Sequence, residues 1–137
     1  MKLSYRVLLW SVVLASSGTG LASASPAVDT LLEQYRQQGV TAFDAMAGQN
    51  FWVQKFNPSG TKQVRQCATC HTANPRNTGK HARTGKPIEP MAPTVNSKRL
   101  TEVKEIRKWL YRNCKWTVGR ECTPQEKGNL LIWMQQL

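Results

Sequence analysis

One short motif in the sequence has residue types and a spacing that indicate a specific chemistry. Two residues separate Cys67 from Cys70, and His71 follows the second cysteine directly. Thiols at this spacing can add across the two vinyl groups of a haem as thioethers, and the adjacent imidazole can then bind the iron. The CxxCH run therefore predicts one covalent haem c, with Cys67 and Cys70 as attachment points and His71 as the proximal iron ligand.

Two other kinds of site use cysteines at this spacing. A thioredoxin-type redox pair lies where a strand leads into a helix, and no apolar, β-branched strand precedes Cys67. A zinc site could combine Cys67 and Cys70 with the histidines or with Cys114 and Cys122. Seven residues separate that second pair, whereas zinc motifs usually have two to four. The motif favours haem over both alternatives.

The elements that position this motif are predicted to be helices. Apolar residues recur at helical spacing over residues 27–37, where Gly39 can end the helix, and over residues 101–113. A last helix begins with the capping box Thr123-Pro124-Gln125-Glu126, which has proline at the first helical position. No strand pattern of useful length is present. The sequence thus predicts an all-α protein with a class I cytochrome c-like fold around one covalently bound haem.

Two segments are less regular. An apolar stretch over residues 40–56 precedes the motif, and Gly48 and Asn50 leave its helix boundaries uncertain. Residues 72–97 carry four prolines and two glycines, which predicts a long irregular loop. A covalently held haem around which the chain wraps is the simplest reason for order in such a loop.

The N-terminus has the pattern of a secretory signal peptide. Lys2 and Arg6 precede an apolar run over residues 7–15, and small residues end in Ala22-Ser23-Ala24. The run is too short for a membrane span, so we expect cleavage after residue 24, with an uncleaved anchor as the alternative. The predicted organisation is a signal peptide at 1–24 and a single cytochrome c domain at 25–137, in which a helical segment (25–60) precedes the haem-binding core (61–137). The mature protein is then periplasmic.

Length and charge narrow the function classes. With 137 residues the chain is too short for an ordinary two-domain enzyme. Without Lys2 and Arg6, 17 of the 19 Lys and Arg remain against 8 acidic residues. The basic side chains, many of them at residues 80–86 and 98–120, are either a solvated face or a surface that steers an acidic redox partner. Export argues against nucleic acid as a partner.

The distal iron ligand is the open question in the sequence. His81 is only ten residues beyond His71, so a solvent-exposed loop histidine is the simpler interpretation. Met91, flanked by prolines, is a stronger candidate, although it could instead pack against the porphyrin as an apolar filler. Met46 and Met134 lie in apolar helical stripes, which predicts core positions.

Asn113 is a further candidate ligand. It continues the apolar stripe of the predicted helix over residues 101–113, and a buried carboxamide without a partner costs about 1–3 kcal/mol. Iron could be that partner. The alternative is a helix C-cap, since asparagine tolerates the left-handed conformation at that position.

Three strings in the C-terminal half carry a family resemblance. They are RTGKPIEPMAP at residues 83–93, KWLYRNC at 108–114 and GRECTP at 119–124, the last followed by Glu126 and Lys127. Together with CxxCH they resemble the sphaeroides haem protein family, which are monohaem, oxygen-binding bacterial cytochromes c. The resemblance covers residues 65–134, and residues 25–60 match only in being helical. The RNC and GREC elements are far more specific than CxxCH alone.

The resemblance implies roles for residues of those elements. Asn113 would be the distal ligand of the oxidised haem, and Cys114 would form a disulfide with Cys122. A membrane-linked redox partner, such as a dihaem cytochrome c, would reduce the haem so that it binds O2 or NO.

Two other functions remain as alternatives. One is an ordinary His/Met electron carrier that uses Met91. The other is an enzyme that converts a bound gas, for which the sequence places no proton-delivering side chain firmly in the pocket. We therefore expect no catalytic residues and treat enzymatic turnover as open.

Overall fold

The computed structural model describes residues 25–137, so the predicted signal peptide lies outside the described residues. The helices are α1 (Pro26–Gln37), α2 (Ala45–Val53), α3 (Ala68–His71), α4 (Val103–Thr117) and α5 (Pro124–Gln135). Two two-residue strands, β1 (Gly79–Lys80) and β2 (Pro87–Ile88), lie between α3 and α4. Between residues 25 and 137, no helix has the length and apolar content that crossing a membrane requires.

Helix α1 forms where the periodicity predicts it. Pro26 occupies an opening position of the helix and Asp29 lies in its first turn, where the helix dipole favours an acid. Gly39 follows the C-cap with φ +95°, a conformation that glycine adopts without strain. The apolar face predicted for this helix is buried: Val28, Leu31, Leu32 and Tyr35.

Helix α2 crosses α5 at close range. Asp44 caps α2 by accepting hydrogen bonds from the Met46 and Ala47 amides at 2.8 and 3.2 Å. A Cβ atom on Gly48 would lie 2.1 Å from the carbonyl oxygen of Asn129 in α5. The glycine that interrupts the apolar stretch in the sequence is therefore the point where the two helix backbones meet.

One hydrophobic cluster unites side chains of α1, α2, α4 and α5. The last helix begins with the predicted capping box. It buries Leu130, Leu131, Trp133 and Met134, and Ile132 is partly buried. Helix α4 extends to Thr117, four residues beyond its predicted end. The stripe continues there through Cys114 and Thr117, which are buried although neither is strongly apolar.

The segment between α3 and α4 is mostly irregular, as its prolines predict. Its regular part is a small hairpin in which Gly79 pairs with Ile88 and Lys80 with Pro87. Further along, the amides of Met91 and Ala92 donate to the carbonyl of buried Pro75 at 2.8 and 3.2 Å. These bonds fold the segment back onto the residues that directly follow the CxxCH motif.

Candidate functional site

The CxxCH motif forms a single helical turn. The amides of Cys70 and His71 both donate to the Cys67 carbonyl, at 3.3 and 3.1 Å. Residues three apart on a helix lie on the same side, so the two thiols project together from this turn. Gly79 packs against the turn so closely that a Cβ there would lie 2.1 Å from the Cys70 carbonyl oxygen.

The two thiols of the motif form no disulfide, and both are partly buried. Burial, as the largest cause, raises the pKa of the Cys67 thiol to about 11. A thioredoxin-type redox pair needs a thiol pKa lowered toward neutrality so that the thiolate can attack. The environment of Cys67 does the opposite, which argues against that alternative.

His71 is held as a neutral imidazole. Burial, with a smaller contribution from the nearby Arg99 cation, lowers the pKa of His71 to about 4. The neutral form is the one that binds metals. Its Nδ1 atom is buried and has no hydrogen-bond partner among residues 25–137, although an iron-bound histidine usually donates its second ring N–H to an acceptor. A neutral imidazole without a hydrogen-bond partner at Nδ1, next to two thiols that form no disulfide, fits the attachment and ligation of a c-type haem.

Trp52 of α2 is a site residue that the sequence did not single out. Its indole Nε1 donates to the Thr72 carbonyl at 2.8 Å, one residue after His71. Its ring lies 5.4 Å from the His71 ring and 5.4 Å from the Trp133 ring of α5. Trp52 thereby connects the proximal histidine to the hydrophobic core, and only the apolar stretch around it gave a signal.

Arg99 is a second site residue that the sequence did not reveal. Its guanidinium donates from Nε to the Pro90 carbonyl and from Nη2 to the Glu89 carbonyl, both at 2.9 Å. These bonds fix a cation beside the segment that leads into Met91. A positive charge at this point is also what lowers the pKa of His71 further after burial.

The other candidate ligands lie in different environments in the structure. His81 is exposed in a loop, where its Nδ1 accepts from the amides of Arg83 and Thr84, as the loop interpretation predicts. Met134 is buried in the core as predicted, whereas the core prediction for Met46 is wrong, because its side chain is 62% exposed. Met91 is partly buried and packs against the core cluster.

Asn113 lies inside α4 and is not its C-cap, which is Val118. The C-cap interpretation is therefore wrong. The Asn113 side chain is half-buried and forms no hydrogen bond within residues 25–137. A carboxamide in this position keeps its oxygen and nitrogen available for a ligand-binding role.

Cys114 and Cys122 lie at disulfide distance, with Cα atoms 5.6 Å apart, which agrees with the pairing that the resemblance implies. This proximity leaves them unsuited to a zinc site shared with the CxxCH cysteines. In the described part of the chain, no group of three or more His, Cys, Asp or Glu residues could hold a metal ion.

The GREC element has a clear structural role. Arg120 forms a two-bond pair with Glu126, at 2.8 and 2.7 Å, and Glu126 also accepts from the Thr123 amide at 2.8 Å. The hydrogen bond from Arg120, as the largest cause, lowers the pKa of Glu126. The motif thus fixes the start of α5 and the chain on either side of Cys122.

Comparisons with known proteins agree with this geometry. Residues 38–134 match the family model described as "Domain of unknown function (DUF1924)". The chain is 38% identical over 130 residues to the cytochrome c-type protein SHP of Cereibacter sphaeroides, covering 94% of this chain and 96% of that protein. It is 41% identical over 88 residues to cytochrome c'' of Methylophilus methylotrophus, covering 64% and 60% of the two chains.

Solved structures show the same similarity. Oxidised SHP, an oxygen-binding cytochrome c, superposes with a TM-score of 0.74 at 34% identity, covering 82% of this chain and 99% of that one. Oxidised cytochrome c'' from Methylophilus methylotrophus superposes with a TM-score of 0.66 at 34% identity, covering 79% and 92%. These matches confirm the predicted all-α, class I cytochrome c-like fold.

Proposed function

This chain belongs to the DUF1924 family and to the family of the sphaeroides haem protein, and it is a c-type cytochrome with one covalent haem c. From that premise we propose that it accepts electrons in the periplasm and binds O2 or NO when reduced, because its distal iron ligand is displaceable. The observation that carries this proposal is the combination of a neutral His71 in the CxxCH turn with an Asn113 carboxamide that forms no hydrogen bond within residues 25–137.

Cys67, Cys70 and His71 hold the haem in this proposal. The helical turn presents both thiols on one side, and the partly buried imidazole is already in the form that binds iron. When bound, the haem supplies a one-electron couple and an iron position for a diatomic ligand. Trp52 orients the turn from the proximal side through its hydrogen bond to Thr72.

Asn113 is the displaceable distal ligand in this proposal. A carboxamide is neutral and binds iron more weakly than an imidazole or a thioether, so a diatomic ligand can replace it. No hydrogen bond within the described residues restrains its side chain. Release then needs only a rotation of one side chain, while Cys114 and Cys122 keep the backbone of α4 in place.

Met91 has a packing role in this proposal. Its amide is bound to the Pro75 carbonyl and its side chain packs against the core cluster. An unbranched thioether fills irregular apolar space well. Electron transfer through His/Met ligation is the outcome that would replace the proposal.

The proposal also includes a cellular location, the periplasm, and a redox partner. The signal-peptide pattern of residues 1–24 supports export, and a disulfide between Cys114 and Cys122 would persist in an oxidising compartment. A membrane-linked electron-transfer chain, with a dihaem cytochrome c as the candidate donor, would supply the electrons. The basic surface favours an acidic partner.

Ferric absorption spectra of three proteins test the distal ligand: the wild type, Asn113→Ala and Met91→Leu. We expect the wild type and Met91→Leu to be low-spin and to lack an iron–sulfur charge-transfer band. We expect Asn113→Ala to be high-spin with its haem still attached. A charge-transfer band that disappears in Met91→Leu, or a low-spin Asn113→Ala, would replace this proposal with the His/Met alternative or another ligand.

A further inference from the structure

Three exposed cations form a line along the outer side of α4. Lys108, Arg112 and Lys115 recur at the i, i+4, i+7 spacing that places side chains on one side of a helix. The helix as a whole carries five Lys and Arg and a single carboxylate, Glu105. We call Lys108, Arg112 and Lys115 the basic ridge.

Two exposed aromatic rings flank the basic ridge. Trp109 is 46% exposed, and its ring centroid lies 5.1 Å from Lys108 Nζ and 5.4 Å from Arg112 Cζ. Tyr111 is 50% exposed, with Lys115 Nζ 5.6 Å from its ring centroid. A cation of the ridge therefore lies over each exposed ring.

Trp109 is exposed at the edge of the buried side of α4. Its indole Nε1 donates to the carboxylate of Glu105 at 3.1 Å, and Glu105 is also paired with Lys108 at 2.6 Å. Ile106, three residues before Trp109, is buried, so Trp109 lies at the border between the buried and the exposed side of the helix. The exposed ring belongs to a surface network of charged residues and not to an incomplete core.

The composition of this surface matches a protein interface. Tryptophan, tyrosine and arginine are the residue types that dominate binding energy at interfaces, and a cationic surface selects an acidic partner. A membrane also attracts such residues, but there the rings must insert below the level of the cations. On α4 the cations lie over the ring faces, which favours a protein partner.

The position of the ridge also suits electron exchange. Arg112 is the neighbour of Asn113, which lies on the half-buried side of the helix. An α-helix with its side chains is about 10–12 Å across, so a partner on the ridge lies within about one helix diameter of Asn113.

We propose that the basic ridge, with Trp109 and Tyr111, is the docking surface for the acidic face of a protein that exchanges electrons with the haem. This inference rests on the proposed function, because it assumes that the haem is reduced by a protein partner. It places the contact on α4 and not on the basic residues of the loop that follows the CxxCH motif.

Stopped-flow reduction of the ferric holoprotein by two reductants tests the location. Reduced flavodoxin is an acidic electron-transfer protein, and reduced lumiflavin is a small neutral reductant. One variant removes three charges from the ridge, and a matched control removes three from the loop after the CxxCH motif. The variants are Lys108→Gln, Arg112→Gln, Lys115→Gln and Lys80→Gln, Arg83→Gln, Lys86→Gln, all at exposed positions.

We expect the ridge variant to be reduced about fivefold or more slowly by flavodoxin, with a weaker dependence on salt, and the loop variant to change by less than about twofold. Reduction by lumiflavin should be the same in all three proteins. An unchanged rate in the ridge variant, or an equal or larger loss in the loop variant, would overturn the inference.

Sedimentation with phosphatidylglycerol vesicles measures whether the same surface binds a membrane. Binding that the ridge variant loses, together with an unchanged flavodoxin rate, would assign the surface to lipid and overturn the protein-docking inference. If the docking inference is wrong, the haem spectra described under the proposed function are still as expected. If the proposed function is wrong, those spectra themselves differ from the expected ones.

Discussion

Arg65 joins the CxxCH segment to the helix that carries Asn113. Its Nη1 donates to the Trp116 carbonyl at 2.7 Å, and its guanidinium lies 4.4 Å from the centroid of the Trp116 ring. The last carbonyls of a helix lack partners within the helix and attract cations. Arg65 is two residues before Cys67 and Trp116 is three after Asn113, so one side chain couples the two sides of the proposed haem site.

Replacing Arg65 by glutamine should loosen this coupling. Loss of a charge-assisted hydrogen bond predicts destabilisation by about 1–2 kcal/mol in urea unfolding of the holoprotein. We also expect a larger high-spin fraction in the ferric spectrum, because the end of α4 near Asn113 is less fixed. Arg36→Gln is a matched control, since Arg36 lies over the Phe43 ring, far in sequence from both segments. Equal spectral effects in the two variants would contradict the coupling.

Breaking the pair Cys114 and Cys122 with serine should lower stability. The chain-entropy model gives about 2.5 kcal/mol for a loop of about nine residues. Because the pair lies beside Asn113, we also expect faster displacement of the distal ligand, measured as the rate of cyanide binding to the ferric form. Unchanged cyanide kinetics, despite the loss of stability, would restrict the pair to a purely structural role.

The Arg120 and Glu126 pair predicts a pH dependence of stability. The pKa of Glu126 is lowered in the folded protein, chiefly by the hydrogen bond from Arg120. Its contribution is therefore full above the unfolded-state pKa, near 4.5, and is lost as the pH falls through the lower folded value. Glu126→Gln should cost about 1 kcal/mol at pH 7 in urea unfolding, and this cost should shrink as the pH falls below about 4.5.

A surface pair provides the control for that experiment. Glu33 and Arg36 are 3.4 Å apart with both side chains more than half exposed. Glu33→Gln should therefore change stability by less than about 0.5 kcal/mol at every pH. A Glu126 effect that persists unchanged at low pH would show that its carboxylate charge is not the source.

Replacing Trp52 by phenylalanine tests the proximal support of His71. The change keeps an aromatic ring but removes the donor to the Thr72 carbonyl, which predicts a loss of about 1 kcal/mol in holoprotein stability. Haem attachment should be unaffected, because the CxxCH turn keeps its own hydrogen bonds. A stability equal to that of the wild type would exclude a structural role for the indole N–H.

Local patterns accounted for much of the fold. The first helix and the start of α5 were predictable because periodic apolar residues and a capping box are local signals. The boundaries of α2 were not, because Gly48 is required by contact with Asn129, which is remote in sequence. The end of α4 was placed too early because Cys114 and Thr117 are buried without being strongly apolar.

The candidate site also contains some residues that local patterns predict and others that they do not. Cys67, Cys70 and His71 are adjacent in sequence and carry a recognisable spacing. Trp52 and Arg65 act through contacts with residues that are distant along the chain or belong to other elements, so no local pattern indicates them. At Asn113 the residues alone left an iron ligand and a helix cap open; the structure excludes the cap, and the ligand role is what the resemblance implies.

Carbon monoxide binding to the reduced holoprotein tests the central claim most directly. The account predicts that saturating carbon monoxide shifts and sharpens the Soret band of the dithionite-reduced protein, with one molecule bound per haem, because the distal side is open to a diatomic ligand. A reduced spectrum that carbon monoxide leaves unchanged would show that a strong distal ligand holds the iron, and would contradict the account.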